Sequence, residues 1–471
     1  MLALTAPDKI IKVQGEIFMK KRRRLASLLM GMICLFQIYA LPVQAKEYWP
    51  EGPEIAGDSA VVMEASTGTV LYEKNAHEHY YPASITKIMT SMLAVENSDL
   101  EEDVTFSKDA VYKTEGSGIS RDVGEVMTMR ECLYGLMLES ANECAYAIAE
   151  HTGGNYDNFI KMMNDKAKEL GCKDTNFNNP HGLPDENHWT CAYDIALISR
   201  EALKNDVFRM IVNTRRYTIP PTNKHQEETY LSNHHKMRNN YKGDEQYLYD
   251  YCIGGKTGYT SVAGSTLATF AEKDGMTLIC VVMREDSPNH YVDTRTLFDY
   301  CFENFRLWNV AENEKNYGRV TAESKIFENE ESFVGLNQEG YVVLPMAAAF
   351  EDAVPKIKES KKKNDIIGKI VYTYADRKVG GTNIEITGSK VSEFKFQKLM
   401  EEPEVPEEKV FRIDVKYIVL IILGVILLVG LGFGIYHLAD NFYLIRYKIE
   451  SRRQRKRSFK EIKVKRRRHR R

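Results

Sequence analysis

A serine and a lysine three residues apart offer the first chemistry in this 471-residue sequence, Ser84 and Lys87 in the stretch PASITK. On a helix, residues at this spacing lie on one face. A serine hydroxyl is a weak nucleophile at neutral pH and needs a base within hydrogen-bond reach. A lysine can be that base when burial or a second cation depresses its pKa. Because a surface serine beside a solvated lysine gives the same pattern, the assignment needs partners elsewhere in the chain.

Three further motifs are candidates for those partners. Ser140-Ala141-Asn142 lies in a stretch with helical spacing, where Ser and Asn are mildly unfavourable; the alternative is the polar face of a surface helix. Residues 254–259 read GGKTGY at the head of a predicted strand. Glycines there favour close approach of a ligand, and a Lys-Thr pair can bind a carboxylate; the alternative is a twisted edge strand. The loop 179–184 reads NPHGLP, and for His181 a structural hydrogen bond is the favoured interpretation.

In this order, the S-x-x-K, S-x-N and K-T-G motifs resemble those of the penicillin-recognising serine acyltransferases. Together with the NPHGLP loop and the GGKTGYT stretch, they resemble most the D-alanyl-D-alanine carboxypeptidases, the low-molecular-weight penicillin-binding proteins. The resemblance covers residues 46–305 strongly and extends less strongly into the following residues. It implies a β-lactamase/transpeptidase-like fold. It also implies a peptidoglycan stem peptide ending in D-Ala-D-Ala as substrate, and reaction with β-lactams that imitate that terminus.

The resemblance also implies catalytic roles. Ser84 would attack the carbonyl of the terminal D-Ala–D-Ala bond and form an acyl-enzyme. Lys87 would accept the serine proton, and Lys256 would help to keep Lys87 neutral by like-charge repulsion. Ser140 would relay a proton to the leaving amine, and Asn142 would position Lys87 and the substrate amide.

The same resemblance assigns substrate binding to the K-T-G strand. Lys256 and Thr257 would hold the free terminal carboxylate, and Gly258 would let the substrate backbone lie along the strand. The backbone N–H groups of Ser84 and Tyr259 would form the oxyanion hole. Some family members carry His where this chain has Tyr259, but only the backbone of that residue is required.

The pattern of elements around these motifs predicts an α+β domain. Residues 58–74 are typical of a hairpin, residues 128–150 have continuous helical spacing, and residues 205–251 are polar and irregular. Strand-like runs at 253–261, 265–271 and 276–283 follow. We expect the first and last strands to share one antiparallel sheet, with helices packed on it.

Charge and hydropathy divide the chain. Residues 446–471 hold fifteen Lys or Arg against two Glu, although the net charge is −2. An apolar run at 417–436 is long enough to span a bilayer, and the basic tail after it indicates the cytoplasmic side. Residues 19–45 have the layout of a secretory signal peptide, with Met19 an alternative start to Met1; a retained N-terminal anchor is the other interpretation. We therefore expect a single-pass membrane protein whose catalytic domain is extracytoplasmic.

The predicted organisation follows from these segments. In chain order it comprises an N-terminal extension and signal peptide (1–45), a serine carboxypeptidase catalytic domain (46–306), a small β-rich domain (307–400), an acidic linker (401–416), a transmembrane helix (417–436) and a basic cytoplasmic tail (437–471).

The eight cysteines form no C-x-x-C pair, so the sequence suggests neither a zinc site nor a redox dithiol and leaves disulfide pairing open. We expect no metal and no cofactor. An acidic body with a basic end also argues against a nucleic-acid partner.

Alternative functions stay open at this point. A class A β-lactamase needs a glutamate on the central loop, where this chain reads HGL with Asp185 and Glu186 in no matching pattern. Endopeptidase activity on cross-links is a related alternative. An inactive wall-binding scaffold would be expected to have lost Ser84, Lys87 or Lys256, and all three are present.

Overall fold

The computed structural model describes residues 48–315, 333–363 and 366–387 of the chain. The predicted signal peptide, acidic linker, membrane span and basic tail lie outside these ranges. Within the described ranges, no helix has both the length and the apolar character needed to cross a bilayer.

The described helices are α1 (Lys87–Asn97), α2 (Lys108–Tyr112), α3 (Met129–Leu138), α4 (Asn142–Gly153), α5 (Tyr156–Glu169), α6 (Ala192–Ala202), α7 (Asp206–Asn213), α8 (Asn289–Asn304) and α9 (Val310–Asn313). Short 3₁₀ turns occur at Ala83–Thr86, Tyr241–Gly243, Glu245–Tyr247 and Phe350–Asp352.

The described strands are β1 (Ser59–Glu64), β2 (Val70–Lys74), β3 (Asp103–Thr105), β4 (Val126–Thr128), β5 (Arg216–Ile219), β6 (Thr229–Ser232), β7 (Cys252–Thr260), β8 (Gly264–Lys273), β9 (Met276–Glu285), β10 (Phe305–Asn309), β11 (Phe333–Leu336), β12 (Tyr341–Pro345), β13 (Val354–Lys363), β14 (Ile366–Tyr374) and β15 (Arg377–Thr387).

A five-stranded antiparallel sheet in the order β2-β1-β9-β8-β7 is the centre of the fold. Its register pairs Val62 with Cys280, so the first strand lies beside the last strand of the 252–285 block, as the sequence predicts. Every residue of β1 is buried because the sheet is covered on both faces. On one face Val61 and Met63 pack against the helical block, and on the other Val62 packs against α8.

A second, six-stranded sheet follows α8 directly. Its order is β10-β12-β15-β14-β13, and β11 pairs with β15. Val342, Leu344, Ile370 and Tyr372 form its buried core. The first strand of this sheet begins at Phe305.

The interval 205–251 is more regular than the sequence predicts, and that prediction was wrong. It contains α7, which begins after the Asn205 side chain caps it, and the two-stranded hairpin of β5 and β6. Phe208, Ile211 and Val212 of α7 are buried in the main core. Polar residues on the exposed face concealed the short apolar stripe of this helix.

Candidate active site

Ser84 lies in a 3₁₀ turn, Ala83–Thr86, that continues into α1 at Lys87. The serine is half-buried and so reaches solvent. Ala83, just before it, has a positive φ of 50°, a conformation that costs a non-glycine residue about 1–3 kcal/mol and persists only where its surroundings enforce it. Two hydrogen bonds enforce it here. Thr266 Oγ1 donates to the Pro82 carbonyl, and Thr86 Oγ1 donates to the Ala83 carbonyl, both at 2.9 Å.

The loop that contains the NPHGLP motif packs against this turn. Gly182 has a φ of +88°, and a Cβ there would lie 1.9 Å from the Ala83 carbonyl oxygen, so the loop can approach the turn only with glycine at this position. His188 is buried, and its Nδ1 accepts from the backbone N–H of Asn178. Its Nε2 therefore carries the proton and donates to Thr86 Oγ1 at 2.9 Å.

Lys87 is completely buried, and its Nζ has three polar neighbours. Nζ lies 2.7 Å from both Asn142 Oδ1 and the His181 carbonyl, and 3.0 Å from Ser84 Oγ. The first two neighbours can only accept hydrogen bonds. A neutral amine has two N–H donors and one lone pair, so when both donors point to those acceptors the lone pair faces the serine hydroxyl. The arrangement presents a base to Ser84 rather than a third donor.

Electrostatics favour that neutral amine. Burial, followed by the positive charge of Lys256, holds the pKa of Lys87 well below its ordinary value. Burial also lowers the pKa of Lys256, to about 7, and Glu139 partly opposes this. The neutral form of Lys87, the base, is thus favoured by burial and by its neighbour Lys256.

Ser140 and Asn142 lie at a break between two helices, not inside one helix, so the prediction of a continuous helix over 128–150 was wrong. α3 ends at Leu138 and α4 begins at Asn142. Ser140 has a φ of 62°, and the Asn142 N–H donates to the Ser117 carbonyl at 2.9 Å rather than to the preceding helix. The break brings the Asn142 side chain to Lys87, and its Nδ2 donates to the Glu115 carbonyl, which fixes the amide orientation.

The K-T-G strand, β7, lies against the serine turn. A Cβ at Gly258 would lie 2.8 Å from the Ser84 backbone nitrogen, so glycine allows the strand this close to the nucleophile. The Lys256 side chain is buried and donates to the Thr257 carbonyl at 2.9 Å. Thr257 is half-buried, and the Tyr259 side chain is 70% exposed, which leaves it outside the protein interior.

His181 makes the structural hydrogen bond that the sequence favours: its Nδ1 accepts from the Leu183 N–H at 3.2 Å. Burial, with a smaller contribution from Lys87, lowers the pKa of His181 to about 3, so the ring is neutral. The ring also lines a cleft of about 580 Å³ together with the aromatic pair Tyr146 and Tyr156.

Sequence reasoning missed three residues that position the nucleophile: His188, Thr86 and Thr266. Thr86 lies between Ser84 and Lys87, so its position could have suggested a contact, but no local pattern indicates its partners. His188 and Thr266 are 102 and 184 residues away from the residues they contact at the turn. Only the folded chain brings them together.

Comparison with a solved structure agrees with this architecture. The structure of penicillin binding protein 5 from Haemophilus influenzae superimposes with a TM-score of 0.58 and 24% sequence identity, over 72% of this chain and 98% of that one. At that identity the likeness defines the fold, which is the β-lactamase/transpeptidase-like fold expected from the motifs. This fold and the contact of Lys87 with Ser84 thus occur together in the chain.

Sequence comparison defines the family. The sequence model of the peptidase S11 family, D-alanyl-D-alanine carboxypeptidase, matches residues 46–287, and the chain belongs to that family. It is 32% identical over 358 residues to D-alanyl-D-alanine carboxypeptidase DacF of Bacillus subtilis, covering 74% of this chain and 87% of DacF. It is 26% identical to D-alanyl-D-alanine carboxypeptidase DacA of Haemophilus influenzae, over 78% of this chain and 93% of that protein.

Proposed function

We propose that this chain is a serine-type D-Ala-D-Ala carboxypeptidase that removes the terminal D-Ala from peptidoglycan stem pentapeptides. The observation that carries the proposal is the contact of Lys87 Nζ with Ser84 Oγ, at 3.0 Å. The two N–H groups of the neutral amine are taken up by Asn142 Oδ1 and the His181 carbonyl. Family membership supports a serine peptidase, and the names of the relatives supply the substrate class.

The first step uses the neutral Lys87 as general base. The Ser84 hydroxyl proton moves to Lys87 Nζ while Oγ attacks the carbonyl of the terminal peptide bond. The negative charge on the carbonyl oxygen is stabilised by backbone N–H groups, for which Ser84 and Tyr259 are our candidates. The bond to the terminal D-Ala then breaks, and the leaving nitrogen takes a proton through Ser140. Water hydrolyses the resulting ester, which regenerates the Ser84 hydroxyl and releases the shortened peptide.

An enzyme that binds the free C-terminal carboxylate of its substrate cleaves at the chain end and is therefore an exopeptidase. A cationic Lys256 and the Thr257 hydroxyl supply one charge and one donor on the strand beside Ser84. Asn142 holds Lys87 through Oδ1, and we assign to it a second contact with the substrate amide. β-Lactams carry a carboxylate next to a strained amide, so the same groups would direct them to Ser84.

Labelling with a fluorescent penicillin tests the nucleophile. The wild-type chain should be labelled covalently, and Ser84→Ala should lose the label completely. Ser261→Ala, in the exposed turn after β7, is the matched control and should be labelled like the wild type. Labelling of Ser84→Ala at the wild-type rate would overturn the assignment.

Product analysis separates the carboxypeptidase from its alternatives. Incubation with a stem pentapeptide should release free D-Ala. Release of a monomer from cross-linked dimers, without free D-Ala, would indicate an endopeptidase instead. Rapid hydrolysis of a β-lactam with the pentapeptide left intact would favour a β-lactamase, and labelling with no turnover of any substrate would favour a scaffold.

We also propose that residues 417–436 hold the enzyme in the membrane, with the catalytic domain outside and the basic tail in the cytoplasm. The support is the apolar run and the charge that follows it. Deleting residues 417–471 should move the protein from the membrane fraction to the soluble extracytoplasmic fraction without loss of penicillin labelling. Retention of the truncated chain in the membrane would contradict this anchor and point to the N-terminal segment.

A further inference from the structure

Three side chains of different types converge in the catalytic domain. His77 precedes the nucleophile turn, Asp174 lies after α5, and Cys191 precedes α6. One ligand atom from each, an imidazole nitrogen, a carboxylate oxygen and the thiol sulfur, lies within 4.8 Å of the other two. Nitrogen, oxygen and thiolate sulfur are the donors that Zn²⁺ takes in proteins.

The contacts at Asp174 differ from the other histidine–carboxylate contacts of the domain. His77 Nδ1 lies 3.2 Å from Asp174 Oδ2, and His79 Nε2 lies 3.3 Å from Asp174 Oδ1. The other histidine–carboxylate contacts of the described residues are shorter, from 2.7 Å at His151–Glu102 to 3.0 Å at His225–Glu125. Bond lengths of about 2.0–2.1 Å at a tetrahedral ion separate neighbouring ligand atoms by roughly 3.3 Å, so the His77–Asp174 spacing suits two ligands of one ion.

The surroundings hold these groups in place. The His77 ring packs on Tyr193 at 4.7 Å between centroids, and the His79 ring stacks on Trp189 at 4.2 Å. The Asp194 N–H donates to Cys191 Sγ at 3.4 Å, where the thiol caps α6. An outer partner of this kind orients a metal ligand.

We propose that His77 Nδ1, Asp174 Oδ2 and Cys191 Sγ bind one Zn²⁺ ion, with water at the fourth position, and that His79 positions Asp174 through its other oxygen. Cys191 is fully buried, whereas the His77 side chain is 60% exposed, so the ion would reach the thiol from the solvent side. The carboxylate and the thiolate together balance the charge of the ion. The sequence expectation of no metal rested on the absence of a C-x-x-C pair, but these ligands come from three separate segments.

The ion would link two segments that support the active site. Tyr80 and Thr190 already pair through backbone hydrogen bonds of 2.8 and 3.0 Å. His77 lies on the segment that leads into the Ser84 turn. Asp174 and Cys191 flank the loop that contributes His181 and His188. Binding should therefore stabilise the fold around the turn without contact with the substrate, and the site does not depend on the proposed reaction.

Metal binding is tested on the purified full chain in detergent, with a non-thiol reductant to keep Cys191 reduced. After removal of metal, the protein is titrated with Zn²⁺ in competition with a chromophoric chelator, and with Co²⁺ to detect the near-ultraviolet thiolate-to-cobalt band. We expect one Zn²⁺ per chain, a Zn²⁺-dependent rise in the melting temperature, and a cobalt band that Cys191→Ser abolishes. His77→Gln and Asp174→Asn should each weaken Zn²⁺ binding at least tenfold, and His79→Gln about tenfold.

The matched control is His151→Gln, which removes a histidine from a carboxylate pair without a thiol, and it should bind Zn²⁺ like the wild type. His77 is exposed, so His77→Gln should fold normally, and its circular dichroism verifies this. A wild-type chain that binds no Zn²⁺ at equimolar concentration would overturn the site. So would binding that His77→Gln, Asp174→Asn and Cys191→Ser all leave unchanged. Carrying the titration out on Ser84→Ala separates this result from any failure of the proposed reaction.

Discussion

Two pairs of like charges are buried in the catalytic domain, and they have different neighbours. Lys87 and Lys256 lie beside Ser84, and burial lowers the pKa of each. Glu285, at the end of β9, and Asp293, on α8, lie elsewhere in the domain. Burial, then the charge of Asp293, raises the pKa of Glu285 to about 8. In each pair, burial and the neighbouring like charge favour the neutral form of one member.

What surrounds the neutral member decides its role. The Lys87 lone pair faces the hydroxyl of a half-buried serine. Glu285 lies close to Asp293, whose Oδ2 accepts from the Gly57 N–H at 2.9 Å. That second pair connects the N-terminal segment, β9 and α8. The nearby thiol of Cys280 is fully buried, and burial, with smaller contributions from Asp293 and Glu285, raises its pKa, so it is not an accessible nucleophile. A perturbed pKa alone therefore does not identify a catalytic residue; the reactive atom within reach does.

The largest effect should come from removing the base. Lys87→Met keeps the volume and the burial of the side chain but loses the lone pair, so we expect penicillin acylation to fall by about a thousandfold. Stopped-flow or gel-based acylation rates measure this. Lys108→Met, at an exposed position on α2, is the control and should react at the wild-type rate. An acylation rate within tenfold of the wild type in Lys87→Met would assign the base to another residue.

A smaller effect should follow when the like charge is removed. Lys87 acts only when neutral, so acylation falls as the pH drops through the Lys87 pKa. Lys256→Gln removes the cation that depresses that pKa. The acidic limb of the profile of acylation rate against pH should therefore move to higher pH, by about one unit. At a fixed pH on this limb, acylation would fall about tenfold relative to its own plateau.

Normalising each profile to its plateau separates this shift from weaker carboxylate binding, which lowers the whole curve. The exposed Lys224→Gln is the control for net charge and should leave the limb in place. A limb that stays at the wild-type pH in Lys256→Gln would mean that burial alone sets the Lys87 pKa.

The reactive groups and the strand pairing could be predicted because each depends on a pattern visible in the sequence. Ser84 and Lys87 are three residues apart, and the glycines around Lys256 mark the strand that approaches the serine. Short continuous apolar runs predicted β1 and β9. Their pairing followed from the order of elements, with strands at both ends of the domain and helices between them.

The rest depends on contacts between distant segments. Ser140 adopts a left-handed conformation because Asn142 is hydrogen-bonded to Ser117, and no composition signal distinguishes that break from a helix. The hydrogen bond from His188 to Thr86 and the approach of Gly182 to Ala83 likewise exist only after folding. The orientation of the nucleophile is thus a tertiary property, whereas its identity is a local one.

The pair at Glu285 should affect stability and leave acylation unchanged. In the folded chain its pKa is about 8, above the ordinary value of 4.5, so between these values the folded state binds more protons than the unfolded state. The free energy of unfolding should therefore decrease as the pH rises through this window, by about 2 kcal/mol. Glu285→Gln keeps an uncharged side chain beside Asp293 at every pH, so it should remove most of this decrease and be the more stable chain at pH 8.

Urea unfolding at several pH values across that window measures the difference, with Glu303→Gln, exposed on α8, as the control that retains the wild-type slope. Penicillin acylation by Glu285→Gln should match the wild type, because its carboxyl contacts neither Ser84 nor Lys87 in the described hydrogen-bond network. A Glu285→Gln chain that acylates more slowly yet unfolds at the same urea concentration would contradict the structural role of this pair, because it would make the carboxylates part of the reaction. If Glu285→Gln acylates at the wild-type rate but loses the pH dependence of the free energy of unfolding, the two buried pairs have different roles. The lysine pair then serves the reaction, and the carboxylate pair connects three segments of the fold.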